Sequence, residues 1–216
     1  MEERIIVNLP SGGECYSTKT KSVTITPMNV EDENIILSPN LRKKGKVIDT
    51  LLKSKVIDCP IAIEDMCKWD RDAILIELYR CSYGDIYKTK EGTDIVMKGN
   101  AFEPMNMYCE EDGFLIYING HDILSYKLPS YEDERQMVKN INIDNSLLDM
   151  FHTFLCRLIK KVGNNMSAEE IRGYVSNMSA AETVKMIDFI YSLPEENKFH
   201  LICGEDFFDN CLNMKY

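Results

Sequence analysis

The sequence predicts an α+β fold, with short strand/helix units followed by a predominantly helical C-terminal region. Three observations predict it. Apolar and polar residues alternate along 20–26, and a second strand-like run covers 114–118, as in half-buried strands. A strand followed by a short capping side chain and an acidic helical turn occurs twice. The copies are Thr26-Pro27-Met28-Asn29-Val30-Glu31-Asp32-Glu33 and Lys127-Leu128-Pro129-Ser130-Tyr131-Glu132-Asp133-Glu134. From residue 147 onward, apolar residues recur instead at helical spacing.

Taken in order, Ile5-Ile6-Val7 is an apolar strand, closed by the turn Asn8-Leu9-Pro10-Ser11-Gly12-Gly13. Val23 and Ile25 share one face of the next strand, and the two strands pair as a hairpin across the glycine-containing loop. Asn29 then caps a helix from about Val30 to Leu37. Its side chain satisfies orphan N–H groups, and Glu31, Asp32 and Glu33 suit the positive helix end. Ser38-Pro39 stops that helix, because a proline restricts the residue before it. Another helix begins near Lys46, with Val47, Ile48, Leu51 and Leu52 on one apolar face. Arg42-Lys43-Lys44, with Lys46, Lys53 and Lys55, is the strongest local positive charge; it reads either as a solvated surface or as a contact for an acidic partner.

Asp70 is expected to cap the helix that carries Ile74, Leu75, Leu78 and Tyr79, with Glu77 and Arg80 as i,i+3 neighbours. Arg71 is expected to bridge this helix to a neighbouring element. The helix ends before Ser82-Tyr83-Gly84. Strand-like pieces follow at Asp94-Ile95-Val96-Met97 and at Phe114-Leu115-Ile116-Tyr117-Ile118. Asn119-Gly120 is read as the hairpin turn that returns the chain into Ile123-Leu124-Ser125-Tyr126. Ser130 caps the second acidic helix.

Leu147, Leu148, Phe151, Phe154, Leu155, Leu158 and Ile159 then describe one amphipathic helix ending at Gly163-Asn164-Asn165. Ser167-Ala168-Glu169-Glu170 and Ser179-Ala180-Ala181-Glu182 are capping boxes that predict a helical hairpin. The tail, with Phe199, Leu201 and Ile202, is expected to return as a strand or to dock on the core. The reading divides the chain into a mixed region, 1–140, and a predominantly helical region with its tail, 141–216, in one core or two.

Composition narrows the function. The chain has 216 residues, 44% of them apolar, and a formal charge of -10. That charge argues against a nonspecific grip on nucleic acid, which needs clustered positive charge. No apolar run approaches a membrane span, and Met1-Glu2-Glu3-Arg4 lacks the character of a secretory leader. The eight cysteines contain no Cys-x-x-Cys pair and are expected to be reduced thiols. His121, His152 and His200 fall in no metal-binding spacing; His200, Cys203 and Cys211 make at best a makeshift ligand set. Gly12-Gly13 is too short for a phosphate loop, and Ser11 sits in no nucleophile elbow. No catalytic residue, metal or cofactor is therefore expected, and Gly12, Gly13 and Gly45 are assigned to backbone geometry.

Several strings together resemble a family. They are Leu9-Pro10-Ser11-Gly12-Gly13 with Tyr16; Glu31-Asp32-Glu33; Leu37-Ser38-Pro39-Asn40-Leu41; Lys44-Gly45-Lys46-Val47-Ile48-Asp49-Thr50-Leu51-Leu52; and Asp70-Arg71-Asp72-Ala73-Ile74-Leu75-Ile76, followed by Tyr83-Gly84 and Tyr87. In this order they resemble the baseplate hub assembly proteins of T4-type tailed bacteriophages. The resemblance covers residues 8–87 best and resumes around 116–136. It implies a non-enzymatic protein made in the cytoplasm of the infected bacterium, which binds baseplate hub or tail proteins. That protein is either a transient assembly chaperone or a stoichiometric component kept in the virion baseplate. The resemblance also implies partner-facing roles for the opening loop (Leu9, Pro10, Ser11) and for the basic segment (Asn40, Arg42, Lys43, Lys44, Lys46). Many relatives carry Cys-x-x-Cys zinc-ribbon elements where this chain has none. Apolar packing by residues such as Phe114 and Phe199 is expected to replace them.

Overall fold

The computed structural model describes residues 3–88, 92, 94–96, 114–139, 147–164 and 167–196. The mixed α+β order is as predicted. β1 (Ile5–Asn8) pairs antiparallel with β2 (Ser22–Ile25), and β2 also takes β3 (Val56–Ile57) along its other edge. The alternation does its work here: Val7, Val23 and Ile25 are buried, whereas Ile6 points outward.

Asn29 starts α1 (Val30–Leu37) by accepting the N–H groups of Glu31 and Asp32, while Asp32 accepts the N–H of Asn29. Pro39 ends this helix but also begins α2 (Pro39–Lys43), a short helix absent from the sequence reading. Ser38 accepts the Leu41 N–H there, and a proline at the first helical position forfeits no intrahelical bond. α3 (Val47–Lys55) turns Val47, Leu51 and Leu52 inward. After a 3-10 turn at Ile63–Asp65 comes α4 (Lys68–Tyr83), the central helix. Trp69, Ala73, Ile74, Leu75, Ile76 and Leu78 are all buried on it, so it is covered nearly all round.

β4 (Ile86–Lys88) and β5 (Asp94–Val96) form a separate hairpin. A second three-stranded sheet is built from β6 (Leu115–Asn119), β7 (Asp122–Tyr126) and β8 (Ile159–Val162). The β6–β7 turn is Gly120-His121, one residue later than predicted, because Asn119 and Asp122 are still paired. Gly120 supplies the positive φ of 63°. α5 (Tyr131–Lys139) and α6 (Leu147–Leu158) precede β8. The predicted long helix stops at Leu158 because the next residues meet an open edge of β7, where Lys127 N–H donates to Leu158 O and Gly163 N–H to Ile123 O.

α7 (Ala168–Asn177) and α8 (Ala180–Glu196) begin at the two predicted capping boxes. Instead of closing mainly on each other as a hairpin, each packs against α6. A continuous apolar core runs from Val7 and Ile25 through Trp69 and Ile74 to Tyr126, Phe154, Val175 and Ile190. No described helix is long and apolar enough to cross a membrane. Met97 and the tail with Phe199, His200, Cys203 and Cys211 lie outside the described residues.

Candidate functional site

Two places concentrate polar chemistry: the head of α4 and the exposed helix α2. At the first, the opening loop folds over the start of the central helix. Ser11 donates to Asp70 twice, from its N–H at 2.8 Å and from its hydroxyl at 2.6 Å. The Tyr16 hydroxyl donates to Asp70 Oδ2 at 2.6 Å and accepts the Cys67 N–H at 2.9 Å. Ser11 Oγ in turn accepts the Gly13 N–H at 3.1 Å.

Asp70 is therefore the anchor of the loop and not the cap of the helix. Cys67 occupies the N-cap position, and Asp70 lies in the first turn with no exposed surface. Burial pushes the Asp70 carboxyl up, while the Ser11 and Tyr16 hydrogen bonds pull against it. The Tyr16 hydroxyl and the Cys67 thiol are both raised well above their ordinary values, first by burial; the acidic groups Cys67, Asp70 and Cys15 add to this at Tyr16, and a Cys15 hydrogen bond and the Asp70 carboxylate add to it at Cys67.

The same geometry corrects the expectation for the loop. Leu9, Pro10 and Ser11 are buried, so their side chains offer no surface to a partner. A buried carboxylate must be satisfied, and the loop turns inward to supply its donors. Gly12 and Gly13, with φ of 60° and 76°, make that turn.

One residue further on, Arg71 joins three helices. Its Nη2 donates to Asp49 of α3 at 2.9 Å, and its guanidinium lies 4.6 Å from the centre of the Tyr131 ring on α5. Lys46 Nζ holds the other Asp49 oxygen at 3.3 Å. Lys46 is thus half-buried and turned toward the fold, apart from its basic neighbours. Gly45, at φ 61°, directs its carbonyl to Arg135 Nη1 at 3.3 Å.

On α2 and at its C-cap, Asn40, Arg42, Lys43 and Lys44 are exposed. Arg42 Nε donates to the Ile36 carbonyl at 3.0 Å, which fixes its stem. Lys43 and Lys44 enter no ion pair among the described residues. Ser130, like Asn29, starts its helix: its Oγ accepts the Asp133 N–H at 3.3 Å, and Asp133 accepts the Ser130 N–H at 3.0 Å. Ser130 also bridges Cys67, and Lys68 N–H donates to Pro129 O, so the second acidic unit is stitched to the head of α4.

His152 meets Thr183 Oγ1 at 3.2 Å, but that hydroxyl already donates its proton to the Ser179 carbonyl at 3.0 Å. The imidazole is then the donor in this pair and does not activate a nucleophile. His121 is exposed within the β6–β7 turn. A cleft of about 350 Å³ opens between the opening loop and the Pro60-Ile61-Ala62 segment, with Cys15, Cys67 and Lys127 on its walls. Comparison with protein families, with characterised proteins and with solved structures finds no match for this chain.

Ser11, Asp70 and Arg71 stand out in the sequence, but nothing local in it links them to Tyr16, Cys67 and Asp49. The same holds for Asp32 with Lys55; their ion pair at 2.6 Å is buried at both ends. The only signal for these pairs is a charged residue interrupting an apolar helical face, as Asp49 and Lys55 do on α3.

Proposed function

We propose that this chain is a non-enzymatic assembly factor for the central hub of a T4-type phage baseplate, acting by binding baseplate hub or tail proteins. The family resemblance over residues 8–87 motivates this reading. The observation that carries it is the cationic face of α2. A chain of net charge -10 keeps Arg42, Lys43 and Lys44 together at the C-terminal end of one exposed helix, two of them without an internal counter-ion among the described residues. Such a patch has its own sign of potential and suits an acidic protein surface, steering encounter and fixing orientation. The loop 9–13 contributes indirectly, by locking the head of α4, and not as a contact.

Affinity capture of the tagged protein from infected cells, with quantitative mass spectrometry of purified virions, tests this reading. Capture of hub precursors together with absence from virions supports a transient chaperone. Stoichiometric presence in virions makes it a baseplate component instead. Capture of neither hub nor tail proteins overturns the proposal.

A further inference from the structure

We infer that Cys15, Cys67 and Asp70 form a binding site for one zinc-class divalent cation at the head of α4. The two sulfurs and a carboxylate oxygen lie within 4.8 Å of one another, although the residues come from two distant parts of the chain. In a tetrahedral zinc site, donor atoms sit roughly 3.5–3.8 Å apart, given zinc–ligand bonds of about 2.0–2.3 Å. The present cluster therefore needs to contract by roughly 1.0–1.3 Å at most.

Three further observations point to a cation. The described hydrogen-bond donors to Asp70 are the Ser11 N–H, the Ser11 hydroxyl, the Tyr16 hydroxyl and the Cys67 thiol, all neutral, so this buried carboxylate has no cationic partner in contact among the described residues. Those donors also hold the carboxylate in a fixed orientation, as outer-shell partners do for a ligating group. The N-cap of α4 is Cys67, whose side chain makes no capping bond, so the positive helix end is turned toward the two ligands that must become or stay anionic. Cys15 and Cys67 both line the cleft of about 350 Å³, which gives an ion a route in and a water molecule the fourth position.

The donor set selects the metal class. Two sulfurs disfavour magnesium and calcium, which take oxygen ligands. Two thiolates with one carboxylate suit tetrahedral zinc, and cobalt(II) as its spectroscopic substitute. On binding, each cysteine gives up its thiol proton to solvent and forms a metal–sulfur bond, so binding weakens as pH falls. This pairing of residues 15 and 67 is invisible to spacing rules, which weigh only near neighbours such as His200, Cys203 and Cys211.

The test uses the full-length reduced protein, stripped of metal and titrated with cobalt(II), followed by zinc content measured on the native preparation. One equivalent per chain is expected, with a sulfur-to-metal charge-transfer band. Cys15→Ser should abolish tight binding. Cys15 is only half-buried and lies outside the Ser11–Tyr16–Asp70 hydrogen bonds, so this variant keeps the fold, whereas Cys67 is buried and its replacement would disturb the core. A variant with Cys109, Cys203 and Cys211 all changed to serine should bind as the parent does. Absence of the band, its survival in Cys15→Ser, or its loss in the triple variant would each overturn the inference.

Discussion

Asp32 and Asp133 hold the same post in two helices from distant parts of the chain. Each is the third helical residue and accepts the N–H of its own N-cap, at 2.8 Å from Asn29 and 3.0 Å from Ser130. Each also meets a lysine at 2.6 Å, Lys55 for Asp32 and Lys127 for Asp133. The repeated sequence motif is therefore a repeated device in three dimensions: strand, cap, and a buried carboxylate that ties the helix start to a cation. The copies differ in solvent access, since the Lys55 side chain is 7% exposed and that of Lys127 is 34% exposed.

That difference sets unequal penalties. Asp32→Asn strands a buried ammonium whose other acceptor is the Pro27 carbonyl, and should lower stability by about 3–5 kcal/mol. Asp133→Asn leaves Lys127 and Arg157 able to reach water, so about 1–2 kcal/mol is expected. Burial alone would raise both carboxyls, but the lysines and the capping hydrogen bonds outweigh it and hold both below their ordinary value. Their contribution is thus present above about pH 4 and is lost as pH falls through the lowered folded-state values. Urea denaturation at neutral and acid pH reads both effects; equal losses in the two variants would contradict the role given to solvent access.

The strands, the acidic helix starts and both capping boxes were legible in the sequence because each is written within a few adjacent residues. α2 was not, because Ser38-Pro39 serves as a stop and a start at once, and only the first role was read. β8 was hidden because Ile159 continues the apolar spacing of α6, and its strand character comes from the β7 edge alone. Asp70 has the look of a helix cap in the sequence, but the structure makes it the anchor of the opening loop. Its real partners, Ser11 and Tyr16, lie 59 and 54 residues away, beyond any local pattern. The same limit concealed Arg71–Asp49 and the Cys15–Cys67–Asp70 cluster; the charged run foretells exposure for Arg42, Lys43 and Lys44, but not that Lys46 and Lys55 of the same stretch turn inward to carboxylates.

The opening loop depends on one backbone position. Gly13 has φ of 76°, and a Cβ built on it would sit 2.4 Å from the Thr20 carbonyl oxygen. Gly13→Ala should cost about 2–4 kcal/mol, combining the left-handed backbone with a clash against main chain. Gly163→Ala shares the positive φ, at 57°, but meets nothing within 4 Å, so about 1 kcal/mol is expected. Thermal unfolding of the two variants side by side checks the difference, and a Gly13→Ala protein as stable as Gly163→Ala would remove the clash from the account.

Asp72 gives the protein a pH dependence of the opposite sign to Asp32. Desolvation in its half-buried setting, aided by the nearby Glu134 and Asp70, pushes its carboxyl up to about 7, against the pull of Lys68 and Arg71. Between about pH 4, where an unfolded-chain Asp ionises, and pH 7, the folded protein holds the extra proton, so stability from this group falls as pH rises. Asp72→Asn removes the dependence. The variant should match the parent near pH 4 and exceed it by about 1–3 kcal/mol at pH 8. A pH series of urea midpoints for the two proteins decides it: a constant offset at every pH would show that Asp72 is not the titrating group.

The cationic face of α2 yields the functional prediction. Lys43 and Lys44 have no internal ion pair to lose among the described residues, and exposed substitutions of this kind shift stability by about 0.5 kcal/mol or less each. Arg42 adds its hydrogen bond to the Ile36 carbonyl, worth about 1 kcal/mol. The triple variant Arg42→Glu, Lys43→Glu, Lys44→Glu should therefore stay folded by circular dichroism while its capture of hub proteins drops tenfold or more. Because exposed charges are screened over roughly 8–10 Å at physiological salt, parental binding should weaken as salt is raised. Residual binding by the variant should not weaken in this way. Full capture by a folded triple variant would move the contact surface away from α2.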